Sequence, residues 1–202
     1  MNFKFKSAKA LFAITILSMV FVVTSCKQEA KPEDSKEAAE DVNEAVKESR
    51  DSINDSREDD SKYLVAAAET DMAEIELGKL ALAKTKNAGV KDLAKMMIDQ
   101  HTKASEKLKP LAASKEIVLP VALTKDGQDM FDDLNKKAGK EFDESYADMM
   151  VKGHEDAISK IKDASENAKD AEIKQWAADM LPTLNTHLEH SKMLRDQIKK
   201  SK

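Results

Sequence analysis

At 202 residues and 22.4 kDa, the chain has room for one ordinary domain with extensions. Aromatic residues make up 4% and charged residues 35%, with only five Gly and four Pro, which argues against a β-sandwich, a barrel or a Gly-rich nucleotide fold and predicts helices. A net charge of -5 leaves no surplus of Lys and Arg to face phosphates, so nucleic acid is not expected as a partner. The single cysteine excludes an intramolecular disulfide framework and any Cys-rich metal site.

The chain opens with Lys4, Lys6 and Lys9, followed by an uncharged run of 17 residues from Ala10 to Cys26. A basic start, a short apolar core and small residues at its end form a secretory signal, and 17 residues lie at the bottom of the length that spans a bilayer. Val23-Thr24-Ser25-Cys26 resembles the lipobox of bacterial lipoproteins. The resemblance implies removal of residues 1–25 and acylation of the Cys26 thiol by diacylglyceryl and palmitate-type chains. At about 0.8 kcal/mol per buried methylene, two or more chains hold a protein on a membrane where one does not. Lys27 stands where an Asp would resemble an inner-membrane retention signal, so the outer membrane is expected over the inner. Periplasmic and surface-exposed faces both stay open.

From Lys27 to Asp60 there are 13 acidic and 6 basic residues, with only Val42, Val46 and Ile53 as larger apolar side chains. Such a stretch buries too little surface to offset its ordering entropy, so residues 26–60 read as a lipidated cysteine and solvated acidic tether. Val42, Val46 and Ile53 keep helical spacing, but the stripe is too thin to dock firmly.

Residues 61–202 carry 24 basic and 25 acidic side chains and change pattern. Leu64, Ala68, Met72, Ile75 and Leu82 mark one helix face, which stops at Asn87-Ala88-Gly89. Val90, Leu93, Ala94, Met97, His101, Ala104 and Leu108 make a second stripe, with Pro110 bending or ending it nearby. Thr124 is placed to cap a short helix holding Met130, Phe131 and Leu134. Phe142, Tyr146, Met149, Met150, Ala157, Ile158 and Ile161 form a third long stripe. Ala177, Met180, Leu181, Leu184, His187, Leu188, Leu194 and Ile198 form a fourth, with Pro182 expected to kink it. Four such stripes bury one another most simply as an all-α antiparallel four-helix bundle, with the short extra helix between the second and third long ones.

The segments Met72-Ala73-Glu74-Ile75-Glu76-Leu77-Gly78, Met97-Ile98-Asp99-Gln100-His101-Thr102, Phe142-Asp143-Glu144-Ser145-Tyr146 and Leu181-Pro182-Thr183-Leu184-Asn185-Thr186-His187 lie in order on the four helices. Together they resemble the domain-of-unknown-function family 4142 of bacterial exported and outer-membrane proteins. The resemblance implies a ferritin-like four-helix bundle and an envelope location, without a reaction. The family often has Asp-Asp-His where this chain has Asp99-Gln100-His101.

All four histidines fall on the predicted helices, and neutral imidazole suits zinc, iron, manganese or copper. His101, His154 and His187 from three helices, with Glu74 or Glu76 from the first, would supply three nitrogens and one oxygen to a transition metal. The alternative is an interior polar network, with His101 and His187 bonded to Asp143, Tyr146 or a neighbouring carboxylate. The Glu-x-x-His pattern of di-iron bundles is absent, since Ile98, Val151 and Leu184 stand three residues before these histidines. The methionines read as core filler, and no phosphate loop or nucleophile elbow is present.

Two functions follow. One is a non-catalytic envelope bundle on a lipid anchor, serving binding or stress response. The other is a ferritin-like protein that sequesters or oxidises a metal at the His/Glu cluster. The membrane is the one partner the sequence names; a protein partner, a homo-oligomer and the need for a cofactor are left open.

Overall fold

Six helices and no strand make up the regular structure of the described residues, 32–48 and 55–200 of a computed structural model. They are α1 (Pro32–Glu48), α2 (Asp55–Lys84), α3 (Ala88–Ser114), α4 (Lys125–Asn135), α5 (Gly139–Asn167) and α6 (Ala171–Lys200). The segment expected to act as a signal, residues 1–25, and Cys26 lie outside the described residues. None of these helices is long and apolar enough to cross a membrane.

Local chemistry explains the boundaries. Asn87 caps α3, its side-chain oxygen accepting from the amides of Gly89 at 2.9 Å and Val90 at 3.3 Å. Thr124 caps α4 as its position predicts, accepting from Gly127 N. Neither internal proline ends its helix: α3 runs through Pro110 to Ser114, and α6 through Pro182 to Lys200. Both prolines are exposed, where the lost backbone bond does not strand a buried carbonyl. The C-terminus of α3 closes with Ile117 N donating to Ala112 O and Glu116 N to Ala113 O, around a left-handed Glu116 at φ 57°.

The long helices form a square in which each runs antiparallel to both of its neighbours. On α2 and α5, Tyr63 meets Asp163 and Thr85 meets Asp143; on α3 and α6, Met96 meets His190 and Lys115 meets Asp170. Helices α3 and α5 therefore point the same way on a diagonal. The connection between them has to return along the whole bundle, and residues 115–138, including α4, make that crossover. Helix α2 approaches α3 closely at Gly78, where an added Cβ would sit 2.9 Å from Ile98 Cγ1 and 3.2 Å from Ala94 O. Gly78→Val is expected to lower stability by about 1–3 kcal/mol, read by urea unfolding, because the backbone of α3 cannot step aside.

The acidic segment departs from the tether expectation. Residues 32–48 form a helix that lies against α2 and the crossover. Its fixings are polar more than apolar, which is why a thin apolar stripe did not announce them. Ser35 Oγ accepts from Val121 N and Ala122 N, at 3.0 and 3.2 Å. Asn43 exchanges two bonds with the backbone of Val118, and Lys36 pairs with Glu69 at 3.2 Å. Loop amides without a helical partner are thereby satisfied. The next helix also starts earlier than position 61, and buried Asp60 accepts from Lys169 N and Asp170 N at the start of α6.

Two apolar regions fill the square, and a polar layer separates them. One region gathers Leu77, Ala81, Val90, Met97, Phe142, Tyr146, Met150 and Leu194. The other gathers Leu64, Leu108, Ile117 and Ile173 with the adjoining Ile161, Ala177 and Leu184. Between them each long helix contributes buried polar side chains: Asp71 and Glu74, His101, His154, and His187.

Candidate metal centre

Burying polar groups in a bundle core is costly unless each finds a partner. On α2 the predicted stripe holds at its start, where Leu64 and Ala68 are buried, and departs from the inward face beyond them. Met72, Ile75 and Leu82 are half-buried, whereas Asp71, Glu74, Leu77, Gly78 and Ala81 face inward. That small rotation about the helix axis brings two carboxylates into the core.

His101, His154 and His187 are each no more than 2% exposed. One ring nitrogen from each lies within 4.8 Å of the others, and the ring centroids stand 5.1–5.7 Å apart. The outer nitrogens are all committed. His154 Nδ1 faces Met150 O at 2.7 Å, His187 Nε2 faces Gln100 Oε1 at 2.8 Å, and His101 Nδ1 faces Asp71 Oδ1 at 2.8 Å. Each partner is an acceptor, so each outer nitrogen carries the ring proton and donates it. The inner nitrogens, His101 Nε2, His154 Nε2 and His187 Nδ1, are then bare in the neutral rings. His154 Nε2 and His187 Nδ1 stand 3.1 Å apart, and His101 Nε2 is buried with no protein partner. Three ring nitrogens thus lie within 4.8 Å of one another.

The surroundings hold two of these rings neutral. Burial, with the charge of His101 adding to it, drives His154 down to about 4 against the opposing bond to Met150. Burial followed by the neighbouring imidazoles drives His187 down to about 3. His101 also suffers burial, yet its bond to Asp71 and the charges of Glu74 and Asp71 outweigh that and push it up. Burial raises Asp71 despite His101, and raises Glu74 to about 7.

The remaining predicted residues separate. Glu74 borders the centre, with Oε1 3.8 Å from His154 Nδ1, on the outer side of that ring, and with Oε2 buried and unpaired. Glu76 does not take part; two residues along the helix it faces outward and pairs with Lys79 at 2.7 Å. Asp143 is also outside, accepting from the Thr85 hydroxyl at 2.5 Å, about three turns from His154. Tyr146 is fully buried and close enough to Glu74 for that charge, after burial itself, to raise its phenol well above the usual range. Its hydroxyl nevertheless bonds to no histidine and has no protein partner. The network expectation thus holds for His101, through a neighbouring carboxylate, and not through Asp143 or Tyr146. Asp71 is the residue that the sequence reading missed; its signal was the i, i+3 spacing to Glu74. Gln100, noticed there as a departure from Asp-Asp-His, is the group that orients His187.

No curated protein and no solved structure matches the chain. A sequence profile described as Domain of unknown function (DUF4142) matches residues 30–194, a span that begins before α1 and includes all four walls of the histidine centre. The chain therefore belongs to the DUF4142 family.

Proposed function

We propose that this protein is a lipid-anchored envelope protein whose helical bundle binds one divalent first-row transition-metal ion at His101, His154 and His187. One observation carries the reading: three buried imidazoles bring ring nitrogens within 4.8 Å of one another while their outer nitrogens face the acceptors of Asp71, Met150 and Gln100. Bare nitrogens this close repel one another unless a cation or a proton lies among them. Outer-shell acceptors that set tautomer and ring orientation are what metal-ligating histidines have. Two carboxyl groups, Asp71 and Glu74, stand beside the three rings, and a bound dication would favour their ionised forms. Imidazole suits zinc, copper, iron and nickel, and three such ligands leave a fourth position on a tetrahedral ion. The single long crossover supports a ferritin-like topology.

Chelator-treated protein titrated with Zn²⁺ or Co²⁺ is expected to bind one equivalent. At a free concentration 100 times the dissociation constant, the gain is about 2.7 kcal/mol, which raises Tm by roughly 5–10 °C for a domain of this size. Less than a tenth of an equivalent, with no rise in Tm, refutes the site. Asp71→Asn keeps the shape but removes the charge behind His101, and is expected to weaken metal affinity about 10–100-fold in competition with a chromophoric chelator.

The envelope location rests on Val23-Thr24-Ser25-Cys26 and the apolar run before it. Labelled palmitate is expected in the wild type and not in Cys26→Ser; equal labelling of the two removes the anchor from this reading.

A further inference from the structure

We propose that Met96 and His190, joined by Met193, form a second metal site, on the seam between α3 and α6, for a soft monovalent ion of the Cu⁺ class. The site goes beyond the histidine centre and does not depend on it. Met96 Sδ and His190 Nδ1 lie 3.2 Å apart across the seam. His190 is exposed and Met96 half-buried, so the pair is open to solvent. Met193 follows one turn later on α6 and is 54% exposed, a place where filling a core gap is not its task. His190, Met193, Leu194 and Gln197 keep the i, i+3, i+4, i+7 spacing of one helix face. That face meets α3, since a Cβ on Gly89 would sit 2.9 Å from Leu194 Cδ1 and 4.0 Å from Gln197 Oε1. Met193 therefore belongs to the side of α6 that borders the seam.

The donors decide the class of ion. Thioether sulfur is a soft ligand that selects Cu⁺, and imidazole binds copper as well. Mg²⁺ and Ca²⁺ take oxygen ligands, and none of the three side chains offers one. Two thioethers and a neutral ring carry no negative charge, so nothing in the donor set offsets a second positive charge on the ion. Distance is the other argument. Bonds of about 2.0 Å to nitrogen and about 2.3 Å to sulfur, roughly 120° apart on a three-coordinate ion, set the two donors about 3.7 Å from each other. The pair has to part by about half an ångström, which an exposed ring and an unbranched methionine chain allow. Without an ion, Nδ1–H donates to the sulfur; with one, the ring proton moves to Nε2 and Nδ1 is free to ligate.

The test is an Ag⁺ titration, silver matching Cu⁺ in charge and softness without its sensitivity to air. The full chain carries Cys26→Ser, because a free thiol would take silver first. Methionine methyl groups labelled with carbon-13 are followed by NMR, and Met96→Leu and Met193→Leu assign their signals. One equivalent of Ag⁺ is expected to shift the methyls of Met96 and Met193 and to leave Met130, on α4, in place. Met96→Leu and His190→Gln are each expected to weaken Ag⁺ binding by about tenfold or more, and Met193→Leu by roughly three- to tenfold, each losing one of three donors. If Met96→Leu does not fold by circular dichroism, His190→Gln, at an exposed position, decides. Zn²⁺ is expected to leave the Met193 methyl unmoved. Silver that shifts Met193 alone, or Met130 as much as Met96, is adventitious thioether binding and overturns the site. Affinity unchanged in folded His190→Gln overturns it too, and a Zn²⁺ shift of Met193 equal to that from Ag⁺ overturns the soft class. None of these outcomes touches the histidine centre, and a missing Zn²⁺ equivalent there leaves this site standing.

Discussion

Replacing His101 and His187 together by Ala is expected to reduce bound metal from one equivalent to below a tenth, and to abolish the rise in Tm on adding Zn²⁺. The two rings come from α3 and α6, with centroids 5.2 Å apart, and each supplies one of the three converging nitrogens. A single imidazole from His154 then remains, too few donors for a stable buried site. The same double variant also separates packing from ligation. Removing two buried rings lowers stability by about 3 kcal/mol or more whatever their role, through lost contacts and the unpaired carboxylate of Asp71. Only ligation predicts that the wild type binds metal and the variant does not. Metal content therefore decides, and unfolding measured with and without Zn²⁺ supplies the control. A variant that keeps the full equivalent sinks the centre.

Glu74→Gln is expected to change how stability depends on pH in the chelator-treated protein. In wild type, the unfolded carboxyl ionises near 4.5 but the folded one only near 7. The folded state therefore holds the extra proton between these values, and the stability that this raised group contributes is present below pH 4.5 and lost as pH rises to 7. His154 and His187 act in the opposite sense. Their folded values, about 4 and about 3, lie below the ordinary 6.5, so their contribution is present above 6.5 and lost as pH falls toward 4 and 3. Glutamine removes the first effect and keeps the second. Relative to wild type, Glu74→Gln should gain about 1–3 kcal/mol between pH 4.5 and 7, with the acid limb becoming steeper. Urea unfolding at pH 5 and pH 8 measures it. A difference between the two proteins that stays constant with pH would show that Glu74 ionises as an exposed carboxyl does.

The helical reading succeeded where side chains act locally. Thr124 caps a helix because its hydroxyl meets an amide three residues on, which spacing alone reveals. Val90, Leu93, Ala94, Met97, His101 and Leu108 recur at helical spacing, and all six are buried. The reading failed where distant partners decide. Helix α1 docks through Ser35, Lys36 and Asn43, whose acceptors and donors lie 33 to 87 residues away along the chain. No periodicity within residues 32–48 encodes that. On α2, apolar and polar residues surround the axis so evenly that a rotation by one residue changes which face is inside, and Asp71 was overlooked for that reason.

By itself, the sequence determined an all-α chain, four long helices in their order, the Thr124 cap of the short helix, and three histidines on three of the long ones. Those features depend on neighbours within a turn or two. Only the tertiary structure decided that the histidines share one level, that Asp71 and Gln100 stand behind two of them, and that Glu76 and Asp143 do not. A shift of one turn along a helix moves a side chain by about 5.4 Å, enough to make or break a shared site. That register is set by packing between helices, such as the close approach at Gly78, and by the crossover that returns α5 antiparallel to α2.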